Sequence, residues 1–113
     1  MASSRAQRRR VSIRGFEPIA ERLRAVGHAQ RLMALDVLAD GEATVGELAG
    51  AIHQPHAITS QHLQVLRLHG LVARRREGKR MVYRLADDEA RELVHFLRMR
   101  RYRTDDVGPG EAI

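Results

Sequence analysis

Two groups of side chains in this chain suit chemistry with a polyanion. The first is His56, Thr59, Ser60, Gln61, His62 and Gln64, polar residues crowded into one short stretch. Glutamine carries a donor and an acceptor in one plane, which matches the edge of adenine. Serine and threonine hydroxyls can meet a base edge or a phosphate. The second group is Arg74, Arg75, Arg76, Lys79 and Arg80, with Arg84 just behind. Guanidinium groups hydrogen-bond phosphate oxygens in pairs and never lose their charge. Taken singly, each polar residue is ordinary surface polarity, and a basic ribbon can equally be an edge strand guarded by charge. Their order gives them meaning. A polar helix followed at once by an arginine ribbon puts the bases and the backbone of one duplex within reach together.

The elements needed to position these residues are legible in the pattern. Phe16, Ile19, Leu23 and Val26 fall at helical spacing, with Pro18 in the first turn and Gly27 at the end. A second helix is expected over about His28 to Ala39, with Leu32, Leu35 and Leu38 inward and Asp40-Gly41 as its stop. Thr44 and Glu47 have capping-box spacing and open a third helix that buries Val45, Leu48 and Ile52. Gln54-Pro55-His56 makes a turn. A fourth helix follows from about Ala57 to Leu68, with Leu63 and Leu66 inward and Gly70 capping its end. Leu71 to Arg76 and Arg80 to Leu85 read as two strands around a Glu77-Gly78 turn. Regular pairing puts Arg74 and Arg76 on one face and Arg75 on the other, with Val82 and Arg84. A last helix runs from Asp87-Asp88 to about Tyr102, with Ala90, Leu93, Val94 and Leu97 apolar and Phe96 on its flank. The fold class is mainly α with a small β-hairpin, a winged helix-turn-helix of order α-α-α-α-β-β-α.

Composition bounds the partners. The length of 113 residues allows one domain, and the net charge of +6, nearly all arginine, favours double-stranded DNA. Arginine and alanine bias in a GC-rich genome would raise the charge as well, but not cluster it. The chain has no cysteine, which excludes disulfides, thiolate metal sites and thiol redox sensing. No apolar run approaches the roughly 20 residues of a membrane span, so a cytoplasmic, nucleoid-associated protein with no membrane partner is expected. No Ser-His-acid set, paired carboxylates or glycine-rich phosphate loop is suggested, so neither an enzyme nor a catalytic residue is expected. Residues 1–15 read as a disordered basic tail and residues 103–113 as a disordered acidic one, leaving residues 16–102 as the folded domain.

Over residues 16 to 102 the sequence resembles the ArsR/SmtB family of bacterial winged-helix transcriptional regulators. AVGHAQRLMALDVL is similar to that family's second-helix opening, and TVGELAGAI to its third helix. TSQHLQVLRLHGLV matches its Ser-x-His-Leu-x-x-Leu-x-x-x-Gly-Leu-Val signature, and REGKRMVYRL its wing. The resemblance implies a homodimer joined by the first and last helices, bound to an inverted-repeat operator and usually repressing. It puts base reading at His56, Ser60 and Gln61, with Thr59 and His62 close by. The dimer face would be Phe16, Ile19, Leu23, Leu93, Val94 and Leu97. Two departures stand out: Gln54 replaces an apolar turn residue, and Thr59 a common valine.

Many members of that family release DNA when a metal binds. Their cysteine pair is missing here, since the third helix reads Val45-Gly46-Glu47-Leu48-Ala49. Their last-helix site would fall on Asp87, Glu89, Arg100 and Arg103, and guanidiniums cannot ligate a cation. No cofactor or metal site is therefore expected from those positions. Six histidines, His28, His53, His56, His62, His69 and His95, keep a Ni- or Zn-responsive regulator open, with Asp87, Asp88, Asp105 and Asp106 as supporting acids. Control by a co-regulator protein or a small molecule is also open, as is an interaction module that kept the fold without DNA binding.

Overall fold

The computed structural model describes residues 7–100. A 3-10 turn (Ile13–Gly15) leads into α1 (Glu17–Val26) and α2 (Ala29–Ala39). Then come β1 (Ala43–Thr44), α3 (Val45–Ile52), α4 (His56–Leu68), β2 (Val72–Glu77), β3 (Arg80–Leu85) and α5 (Asp88–Arg100). The 3-10 turn, capped by Ser12, falls inside the stretch expected to be an unstructured tail. Residues 1–6 and 101–113, including the expected acidic tail and the end of the last helix at Tyr102, lie outside the described residues.

Each boundary has a local cause. Pro18 sits in the first turn of α1, where its missing N–H breaks no helical bond. His28 caps α2: its Nδ1 accepts from the Gln30 backbone N–H at 3.2 Å. Thr44 and Glu47 form a reciprocal capping box, Thr44 Oγ1 accepting from Glu47 N at 3.2 Å and Glu47 Oε1 from Thr44 N at 2.8 Å. Those bonds, with the neighbouring Arg80 as a lesser cause, hold the Glu47 carboxyl below the usual range. His53 ends α3 in the left-handed region, with φ 55°. Gly70 takes φ 73° beyond α4, and the Leu71 N–H returns to the Leu66 carbonyl at 2.9 Å.

The sheet has three strands in the order β1-β3-β2, all antiparallel, where a two-stranded hairpin was expected. A two-residue strand shows no periodicity; only its pairing, Ala43 with Tyr83 and Thr44 with Val82, defines it. The hairpin register runs unbroken from Val72↔Leu85 to Glu77↔Arg80. Its turn residues are therefore Gly78 and Lys79, one position later than expected. Gly78 takes φ 65°, a conformation glycine adopts without steric cost.

Leu35, Leu48, Ile52, Leu63, Leu66 and Leu71 form the centre of the core. Val72, Tyr83 and Leu85 close it from the sheet, and Ala90 and Val94 from α5. Leu32 and Val45, expected inside, are half-buried at its edge. Asp87 Oδ1 accepts from Ala90 N at 2.9 Å and so starts α5. Arg98 ties α5 back to α2, reaching Asp36 at 2.7 Å and Asp40 at 2.9 Å. Arg22 of α1 pairs with Glu89 of α5. These ties fix the frame on which α4 and the hairpin stand.

Candidate nucleic-acid interface

α4 begins without a side-chain cap. Pro55 precedes it with extended geometry, and its carbonyl accepts from the Thr59 N–H at 3.0 Å. The first-turn N–H groups thus point outward at the positive end of a 13-residue helix. His56, Gln61 and Gln64 are exposed along this helix and Ser60 is partly exposed. Ala57 and Ile58 are exposed beside them, a small apolar surface of the kind that meets a thymine methyl. Gln64 Oε1 accepts from Arg67 at 3.0 Å and keeps its amide nitrogen for another partner.

Thr59 and His62, expected among the contacts, are inside the protein. Thr59 is fully buried, and its hydroxyl donates to the Pro55 carbonyl at 3.0 Å. That bond satisfies the hydroxyl inside the protein, so a threonine is tolerated at this buried position. His62 is 8% exposed. Its Nε2 lies 2.8 Å from Gln30 Oε1, and its ring centre 4.6 Å from that of His28. Burial pushes the His62 pKa down, with lesser contributions from His28 and Arg31. His62 is therefore a packing residue that docks α4 onto α2. Neither His28 nor Gln30 could be assigned that role from spacing, because the contact is made across separate helices.

The hairpin divides as regular pairing requires, Arg74 and Arg76 on the Tyr83 face and Arg75 on the Val82 face. Arg74 donates to the Tyr83 hydroxyl at 3.2 Å. Arg76, Lys79 and Arg80 at the tip are exposed and form no ion pair among the described residues. Arg75 differs from them. Its guanidinium holds Glu42 at 2.7 Å and Glu77 at 2.9 Å. The hydrogen bond from Arg75 holds the Glu42 carboxyl below its usual range, and the two carboxylates raise the pKa of Arg75. Glu42 was not foreseen, since a lone acid after Gly41 carries no pattern.

The expected dimer face splits as well. Phe16, Ile19 and Leu23 are each more than half exposed, and Leu93 and Leu97 are half-buried. Val94 is not part of that face: at 2% exposure it belongs to the protomer's own core. Between α1 and α5 lies a groove of about 360 Å³, lined by Ile19, Leu23, Val26 and Leu93 with Arg22 and Glu89 at its rim.

Among the described residues no three His, Asp or Glu side chains gather as a metal ion would need. Asp87 is occupied as a helix cap and Glu89 by Arg22, and the Arg100 guanidinium lies 5.1 Å from the centre of the Phe96 ring. Arg103, Asp105 and Asp106 lie outside the described residues. No helix among them is long and apolar enough to cross a membrane.

Residues 28–74 match the family described as bacterial regulatory protein, arsR family. The chain is 43% identical over 79 residues to the biofilm growth-associated repressor of Agrobacterium fabrum, covering 70% of this chain and 68% of that protein. It is 41% identical over 76 residues to the transcriptional regulator KmtR of Mycobacterium tuberculosis, covering 67% of this chain and 58% of the relative. Among solved structures it is similar to the homodimeric winged helix-turn-helix DNA-binding domain Mb0332 of Mycobacterium bovis. There the TM-score is 0.73 and the identity 30%, with 82% of this chain and 88% of that one covered.

Proposed function

As the chain belongs to the arsR family of bacterial regulatory proteins, we propose that it is a homodimeric repressor that binds an inverted-repeat operator in double-stranded DNA. One observation carries the reading. One chain carries both an exposed polar face on α4, formed by His56, Gln61 and Gln64 with Ser60 partly exposed, and a hairpin tip whose Arg76, Lys79 and Arg80 have no ion-pair partner among the described residues. The helix reads base edges in the major groove, and its N-terminus takes a phosphate. The tip holds the adjacent backbone or narrow groove. Two protomers join through Phe16, Ile19, Leu23, Leu93 and Leu97, and so present two copies of α4 to successive grooves. The protein acts where chromosomal DNA is, in the cytoplasm.

The engaged Asp87 and Glu89, with no cysteine in α3, support a signal other than metal at the family's two positions. A co-regulator protein or a small molecule fits this better than Ni or Zn. Adding either ion is then expected to leave operator binding unchanged.

The test is selection of duplexes from a random pool, followed by binding of variants to the selected site. Gln61→Ala relaxes discrimination at one base step by about 1–3 kcal/mol. Arg76→Gln and Arg80→Gln weaken all duplexes alike and flatten the salt dependence. A pool that yields no preferred sequence would sink the reading.

A further inference from the structure

We infer that Arg75 braces the hairpin against the body of the protein and does not itself touch nucleic acid, an inference that rests on the DNA-binding reading above. In register, Arg75 of β2 stands opposite Val82 of β3, and Val82 opposite Thr44 of β1. The three form one row across the sheet, with their side chains on one face. From that row the guanidinium reaches diagonally over the middle strand to Glu42 at 2.7 Å, on the chain just ahead of β1. Its other terminal nitrogen donates to Glu77 on its own strand at 2.9 Å. Val82, opposite Arg75 in the register, is only 7% exposed, and the arginine stem lies on its side of the sheet.

The location explains the need for a tie. β3 is joined to β1 by two residue pairs only. At Val45 the chain turns into α3, so no third strand flanks the hairpin beyond Val82. The tip carrying Arg76, Lys79 and Arg80 therefore extends past the third strand as a two-stranded ribbon, an element of marginal stability on its own. A lone exposed ion pair would contribute little, but one planar fork shared by two carboxylates is a network with fixed geometry. The same pair of carboxylates makes Arg75 a poor phosphate ligand. Arg84 adds a positive charge near Glu42, but both terminal nitrogens of Arg75 are already engaged, and a phosphate would have to displace an acid to bind.

The experiment measures operator affinity across a salt series for the parent, R75Q, E42Q and R76Q, and amide exchange of β1 and β3 in the free proteins. R76Q is expected to flatten the slope of log affinity against log salt by about 0.9, the value of one phosphate contact. R75Q and E42Q are expected to keep the parental slope, to bind several-fold more weakly, and to speed exchange in β1 and β3. E42Q retains the arginine stem, so it separates the tie from the stem itself. The inference is overturned if R75Q flattens the slope as R76Q does. It is equally overturned if E42Q binds more tightly, as removal of an acid would dictate by charge alone, or if exchange in both variants matches the parent. Exchange is read without DNA, so it judges the brace even if the parent selects no operator, the outcome that sinks the DNA-binding reading itself.

Discussion

His62 sits on the helix proposed to read DNA, yet its partners are all within the protein. Gln30 is hydrogen-bonded to it, the His28 ring lies against it, and Arg31 adds positive charge nearby. No carboxylate is among these neighbours, so burial, with His28 and Arg31 as lesser causes, favours the neutral ring. Burial is the largest influence, and the pKa falls below the ordinary histidine value of 6.5. In the unfolded chain the imidazole takes a proton near 6.5, whereas in the folded chain it does so only at lower pH. The unfolded state therefore binds more protons between the two values, and stability rises with pH across that window. His62 contributes fully above 6.5, and its contribution is lost as pH falls towards the depressed value. Urea midpoints are expected to fall between pH 7 and pH 5, and His62→Gln to make that fall shallower while leaving base preference unchanged. A His62→Gln variant whose pH profile overlies the parent would show that the ring is not held neutral.

At the scale of elements, one residue joins helix and sheet. Thr44 is the N-cap of α3 and also the last residue of β1, paired with Val82. Thr44→Ala removes the acceptor for the Glu47 N–H and is expected to cost about 1 kcal/mol in a denaturant titration, within the range for a lost cap. It also loosens the edge of the sheet, so added mobility should reach β3. A cost indistinguishable from zero would mean that the capping box is idle. The cap itself was legible, because Thr-x-x-Glu before an apolar run has a local cause. So were the five helices, the hairpin and Gly70, each set by spacing or by a backbone demand within a few residues. The two-residue strand was not legible, because only the distant β3 makes it one. The same holds at the candidate site. The exposure of Ser60, Gln61 and Gln64 follows from helical phase, but the burial of Thr59 and His62 depends on what α2 places against them. The arginine cluster was plain to read, while the capture of Arg75 by Glu42 needed the folded sheet.

For the whole molecule, the question is what covers Phe16, Ile19 and Leu23. Their exposure is 54%, 51% and 58%, Ile19 and Leu23 on α1 and Phe16 at its N-cap. Water at three large apolar side chains is unfavourable, and a chain this small has no further element among its described residues to shield them. The groove between α1 and α5 continues that surface, with Leu93 in its floor. A second copy supplies a matching surface by symmetry, as a two-fold interface requires. Leu23→Glu is expected to convert the proposed dimer to a monomer, read by sedimentation equilibrium. The protomer itself should still fold, because Leu23 lies outside the buried core. Operator affinity should collapse with it, since each protomer then holds one half-site alone and loses the advantage of two linked contacts. A Leu23→Glu protein that remained dimeric would place the interface elsewhere. One that became monomeric yet bound the full operator as tightly as the parent would separate self-association from DNA recognition, and the two-fold model of binding would fall.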